Sequence, residues 1–188
     1  KNTVDYITGG SMNPNNGSAL GKFQAAMQIR RNSRLNCFNS VALGYPIGLI
    51  LDNQKGDTQG AAKAGTLKIN NVWFAGMDVT GSDANKSYDD VLVTGYDSSS
   101  KPIYDTTQKS FSSTWFTAQS GNKVLANIAD LGMAANGYMP SAGSALLTAA
   151  LCTGLDGWFT QVPYIGAFNA GDNWLSGWTN FNPENTDY

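Results

Sequence analysis

Met27-Gln28-Ile29-Arg30-Arg31-Asn32-Ser33-Arg34-Leu35-Asn36-Cys37-Phe38-Asn39-Ser40-Val41-Ala42-Leu43-Gly44-Tyr45-Pro46-Ile47-Gly48-Leu49-Ile50-Leu51-Asp52 decides how the chain is read. It divides into three β-rich segments, Met27 to Ile29, Leu35 to Val41 and Ile47 to Leu51, parted by a polar corner and by a Gly-Tyr-Pro corner. Neither corner carries the Asn-Gly or Asp-Gly pair that most readily reverses a chain, so the pattern predicts a solenoid coil rather than a hairpin. The pattern returns further on. Leu35-x-Cys37-x-Asn39 through Gly44 aligns at a constant shift with Leu67-x-Ile69-x-Asn71 through Gly76, an internal repeat of the form Leu-x-(Cys/Ile)-x-Asn-x-x-x-x-Gly. Period-two alternation places Leu35, Cys37 and Asn39 on one strand face, with Leu67, Ile69 and Asn71 on the same face one coil later. That face is expected to point inward as a structural element, its two asparagine amides forming a ladder. Chance similarity between two β-rich segments is the competing account.

Several stretches also carry a family likeness. Ile29-Arg30-Arg31-Asn32-Ser33-Arg34, Phe38-Asn39-Ser40 and Gly44-Tyr45-Pro46-Ile47-Gly48-Leu49 are matched near the end by Tyr164-Ile165-Gly166-Ala167-Phe168, Asp172-Asn173-Trp174 and Gly177-Trp178-Thr179-Asn180-Phe181-Asn182-Pro183. Together they resemble the C-terminal half of a group of exported right-handed parallel β-helix surface proteins, frequent in Bacteroidetes and often lipoproteins. The resemblance runs from about Thr3 to Tyr188, with a poorly matched middle from roughly Gly81 to Ala118, and its aromatic ending is the more specific part. It implies an all-β fold, a right-handed parallel β-helix with a short helix and an aromatic C-terminal cap, in one domain over 1–188. It also implies further coils N-terminal to this chain, and it carries over no catalytic residue.

Along the rest of the chain, Thr3-Val4-Asp5-Tyr6-Ile7-Thr8 is strand-like and Ser11 to Gly21 is a surface loop by its turn chemistry. A first coil with an open core needs a cap, which points to preceding coils or to a partner over that end. The aspartate-rich span of about 78–118 is expected to project as an insertion, with a strand at Val91-Leu92-Val93. Lys123 to Met133 is the best helix candidate, because Val124, Ile128 and Leu131 share a helical face and Gly132 follows. The segment of about 156–188 holds Trp158, Phe159, Tyr164, Phe168, Trp174, Trp178, Phe181 and Tyr188. Its rings are expected to close the end of the coil stack, with a sugar-stacking platform as the alternative.

Composition removes several chemistries. Charged residues are 14% of the 188, while Gly reaches 21, a balance that suits β-corners and exported proteins. The net charge of -2 leaves no general electrostatic case for nucleic acid. With no His there is no His-dependent triad, imidazole base or His-containing zinc site. Glu184 is the only glutamate, so a glycosidase-type acid/base pair would fall to aspartates in turn settings, Asp52 with Asp57 or Asp89 with Asp90. Cys37 and Cys152 lack metal or redox spacing and are read as buried thiols, with a disulfide as the alternative in an oxidising compartment. No targeting segment and no apolar run of membrane-span length is present, so membrane attachment would need a lipid anchor outside this chain.

Two constellations remain as candidate sites. Asp78 and Asp83, with Thr80 and Ser82, are the candidate oxygen ligands for Ca²⁺; no other cofactor is expected, and a solvated turn-rich loop is the competing reading. Arg30, Arg31 and Arg34 form the one basic patch, suited either to an acidic glycan or to bridging turns, and Trp174 and Trp178 are the aromatic binding candidates. The expected function is a non-catalytic binding or assembly protein on the bacterial cell surface. As the resemblance implies, it would be an accessory lipoprotein in the outer leaflet of the outer membrane, beside a TonB-dependent nutrient-uptake transporter, or secreted. A polysaccharide-active lyase or hydrolase and a surface adhesin are the alternatives.

Overall fold

The computed structural model describes residues 24–83 and 89–180. Its strands are β1 (Ala25–Arg30), β2 (Asn36–Leu43), β3 (Ile47–Asp52), β4 (Lys68–Ala75), β5 (Val79–Ser82), β6 (Leu92–Tyr96), β7 (Pro102–Asp105) and β8 (Lys123–Leu125). Helices α1 (Thr58–Lys63) and α2 (Phe111–Ala118) lie between them, and 3₁₀ turns follow at Ile128–Leu131 and Ala145–Thr148. Sheet A has the order β1-β3-β5 and sheet B the order β2-β4-β8, all parallel, while β6 and β7 form an antiparallel hairpin.

The repeat is laid down as neighbouring strands of one sheet. Asn36 pairs with Lys68, Cys37 with Ile69 and Leu43 with Ala75, and the Lys68 amide donates to the Leu35 carbonyl at 2.9 Å. Alternation along these strands is broken by Asn39 and Asn71, whose φ values of 48° and 54° lie in the left-handed region that Asn enters more easily than most residues. Before the break, Leu67 and Ile69 face the core shared with sheet A; after it, Val72 and Phe74 take that face and Trp73 and Ala75 take the other. Continuing the Trp73–Lys123 register back by two residues sets Gly121, φ 73°, beside Asn71, so a third left-handed residue stands in line with the two asparagines. Gly44 and Gly76, φ 70° and 62°, form the equivalent corners that lead from sheet B back to sheet A.

Sheet B is thereby buried on both faces. Ile29, Leu49 and Leu51 of sheet A meet Leu67, Ile69, Val72 and Phe74 of sheet B, with Ala62 of α1 and Phe116 of α2 closing that core. The Phe74 and Phe116 rings stack at 4.2 Å and 3°. On the opposite face, Trp73 and Ala75 pack against Leu131, Leu146 and Ile165. Lys123 lies 4.1 Å over the Trp73 ring, a cation–π contact near the short β8 edge.

The right-handed parallel β-helix expected from the sequence is not what forms. Among the described residues the two parallel sheets have three strands each and neither closes nor continues as a solenoid; helices and an antiparallel hairpin accompany them, so the all-β assignment is also corrected. Within the expected insertion of about 78–118, β5 belongs to sheet A, α2 packs on it, and β6 and β7 form the hairpin. Close approach is possible because Gly81 has no side chain: a Cβ there would stand 2.6 Å from the Ser113 nitrogen. Lys123 to Met133 is not one helix, since Lys123–Leu125 is a sheet strand followed by a single 3₁₀ turn. Leu35 is 42% exposed rather than inward, because it precedes edge strand β2, whereas α1 covers its counterpart Leu67 and supplies the Ala61 carbonyl to the Leu67 amide. The strand-like Thr3 to Thr8, the loop Ser11 to Gly21, Phe181 and Tyr188 lie outside the described residues.

Candidate functional site

The cover over the outer face of sheet B is made by the segment from Ile128 to Phe168, and two asparagines hold it. Asn39 accepts the Leu151 amide at 2.9 Å and donates to the Leu151 carbonyl at 3.2 Å. Asn71 donates to Asn39 Oδ1 at 2.7 Å and to the Ala149 carbonyl at 2.8 Å, and its own Oδ1 accepts from the Trp73 indole at 3.3 Å. The Asn39 carbonyl accepts from the Gly166 amide at 2.8 Å. The asparagine pair is thus a clamp between sheet and cover.

Where the cover stands away from the sheet, it leaves a groove of about 870 Å³. Val41 and Leu43 of β2, Met27 of β1, Met133, Tyr138 and Phe168 are among its lining, which is chiefly apolar. From this groove a row of rings leads out to solvent. Tyr138 and Phe168 are 5.6 Å apart, Phe168 and Trp174 stack at 5.5 Å and 16°, and Trp174 and Trp178 follow at 5.8 Å. Phe168 is buried, but Trp178 is 67% exposed. The Trp174 indole donates to the Ala167 carbonyl at 2.9 Å, and the Trp178 indole to the Trp174 carbonyl at 2.6 Å. Both rings are therefore held in place with part of their surface open.

The structure brings Trp174 and Trp178 together, but it divides the arginines. Arg30 pairs across strands with Asp52, its Nε 3.3 Å from the buried Oδ2, while Arg31 and Arg34 are exposed in the following turn. That turn is built on left-handed Arg31 and Asn32, and the Asn32 side chain accepts from the Asp57 amide at the start of α1. Asp78 and Asp83 flank the four-residue strand β5 at opposite ends, roughly 16 Å apart at the rise of an extended chain, and do not converge. Asp83 is buried and accepts from the Phe111 amide at 2.8 Å, the Ser112 amide at 2.9 Å and the Ser112 hydroxyl at 2.7 Å, so it fixes the first turn of α2. Among the described residues no group of three or more Cys, Asp or Glu gathers as metal ligands do. Cys37 and Cys152 are both thiols and half-buried.

Among the described residues, the Tyr96 phenol of the hairpin is pushed clearly above its ordinary range, by burial first and then by the negative charges of Asp52 and Asp83. Asp105, at the end of β7, is held below the usual carboxylate range by the hydroxyl and amide of Thr107 and by the Gln108 side chain. Neither group lines the groove. Sequence reasoning missed the groove, because its walls come from β1, β2 and a segment far later in the chain, from Ile128 to Phe168; the ring density near the C-terminus was its one visible sign. Among the described residues no helix is long and apolar enough to cross a membrane. Compared with protein-family models, with curated proteins and with solved structures, the chain finds no match.

Proposed function

We propose that this chain is a non-catalytic binding or assembly protein whose contact surface is the ring row and the apolar groove behind it. The observation that carries the reading is the row itself. Two indoles, with both N–H groups already bonded to the chain's own backbone, stand open in line with a groove, where they offer area rather than hydrogen bonds. Rigid aromatic anchors of this kind dominate binding energy at interfaces, and a methionine-bearing groove adapts to an incoming apolar segment. The finer reading, an accessory lipoprotein at the bacterial surface beside a TonB-dependent transporter, rests on the sequence resemblance. An adhesin would use the same surface.

A photo-crosslinking residue placed at Trp178, compared with one at exposed Ser99 in the hairpin turn, tests the assignment in intact cells. A single adduct that forms from position 178 and not from position 99, and that is lost in Trp174→Ala, supports it. Equal labelling from both positions refutes it. Cleavage of a polysaccharide by the purified chain, abolished by one aspartate substitution, would replace the binding role with an enzymatic one.

A further inference from the structure

A second concavity lies at the other end of the cover, where sheet B begins. Its floor holds Asn36 and Lys68, which are register partners on β2 and β4, so their side chains leave the sheet side by side, about 4.8 Å apart. Phe38, two residues beyond Asn36, shares that face. Leu155, Asp156 and Phe159 form the wall of a cleft that is open to solvent on one side, with a volume of about 460 Å³. Phe159 is half exposed, and Trp158 stands against it at 5.4 Å and 86° with 85% of its surface open. The two rings make a corner of two perpendicular planes.

We infer that this cleft binds a pyranose unit of a neutral saccharide. The Asp156 Oδ1 accepts from the Trp158 amide at 3.0 Å, which orients the carboxylate. Among the described residues its other oxygen, the Lys68 ammonium and the Asn36 amide have no hydrogen-bond or ion-pair partner. A sugar hydroxyl donates and accepts at once. Asp156 accepts, Lys68 donates and Asn36 does both, which is the set that a pair of neighbouring hydroxyls requires. The C–H face of the ring lies on Phe159, and the volume suits a mono- or disaccharide. The opposite charges of Lys68 and Asp156 leave no net charge to select an acidic sugar. An apolar peptide segment would instead cover both charges without pairing them, which opposes its binding. The assignment is independent of the ring row, which involves none of these residues.

The test is saturation-transfer NMR on the full chain with the methyl glycosides of glucose, galactose and mannose, and with maltose and cellobiose. Transfer to the ring C–H protons of at least one of these is expected, in the millimolar range. Phe159→Ala should weaken it by about tenfold or more, and Lys68→Met and Asp156→Asn by several-fold each, at unchanged melting temperature. Trp178→Ala should leave it unaltered. No transfer from any of the five sugars overturns the inference. So does transfer that survives Phe159→Ala, that is indifferent to both Lys68→Met and Asp156→Asn, or that is lost in Trp178→Ala.

Discussion

Replacing Asn71 by alanine attacks the fold and the site at one point. The side chain is buried, and three hydrogen bonds end on it: two that it donates, to Asn39 and to the Ala149 carbonyl, and one that it accepts from the Trp73 indole. Alanine leaves the Ala149 carbonyl and the Trp73 N–H without these partners, at roughly 1–3 kcal/mol each. It must also adopt φ near 54°, at roughly 1–2 kcal/mol for a residue with a Cβ and no local hydrogen bond. The sum is about 3–8 kcal/mol, a large share of the roughly 5–15 kcal/mol that holds a domain folded. For a chain of this size, that corresponds to a fall of roughly 6–30 °C in Tm. Asn71→Gly loses the same bonds but not the backbone freedom, so it should be milder than alanine by about 0.5–1 kcal/mol; Gly121 already occupies the next place in line. Urea unfolding of the three proteins decides the matter. If Asn71→Ala lies within about 1 kcal/mol of the parent, or glycine is no better than alanine, then neither the clamp nor the left-handed break supports the sheet as argued.

Gly81→Ala should cost several kcal/mol by the same unfolding measurement, since its Cβ would meet backbone atoms of Ser112 and Ser113 at 2.6–3.0 Å and force α2 away from β5. Trp178→Ala should change stability by less than about 0.5 kcal/mol, because most of the ring is already in solvent, yet alter near-UV circular dichroism through the loss of its contact with Trp174. Tyr96 has a folded-state pKa above its unfolded value, so its contribution to stability is complete below pH about 10 and is lost as pH rises toward the folded pKa. Ultraviolet titration should show the Tyr96 phenol ionising above its ordinary range, and Tyr96→Phe should remove both that step and its part of the alkaline loss of stability.

The repeat was legible because its register is a property of sequence spacing alone: the same constant shift that aligns Leu35 with Leu67 sets Asn36 beside Lys68. The faces were not. Alternation assumes an extended backbone throughout, and the left-handed asparagines reverse the phase midway, sending Trp73 and Ala75 outward to a second core. The span from Lys123 to Met133 has apolar residues at helical spacing, but pairing with β4 captured its first three residues; tertiary hydrogen bonding overrode a weak periodicity. Helix α2 went unread because Phe-Ser-Ser-Thr-Trp-Phe-Thr-Ala has Ala118, at its very end, as its one strong helix former. Its start is fixed by the Ser110 hydroxyl, which accepts from the Ser113 amide, and by Asp83, which stands 28 residues before Phe111. Trp174 and Trp178 were visible as candidates, but the groove behind them needed β1, β2 and the distant cover to be in place.

Both candidate sites depend on the cover, and the cover depends on polar as well as apolar contacts with sheet B. Ile165 and Leu146 are buried against Trp73 and Ala75, and the Ile165 amide also donates to the Leu146 carbonyl at 2.8 Å, tying two parts of the cover together. Burial of this kind is non-directional and would tolerate a cover shifted by a residue. The Asn39 amide would not, because it receives and returns a bond with the backbone of Leu151 alone, and the neighbouring Asn71 fixes Ala149. Register between sheet and cover is therefore set by hydrogen bonds and its depth by apolar area. Ring row and saccharide cleft flank this clamp, the first reached through Ile165 to Phe168 and the second through Gly154 to Phe159. A substitution at Asn39 should accordingly disturb both sites together, whereas substitutions at Trp178 or Phe159 should each disturb one.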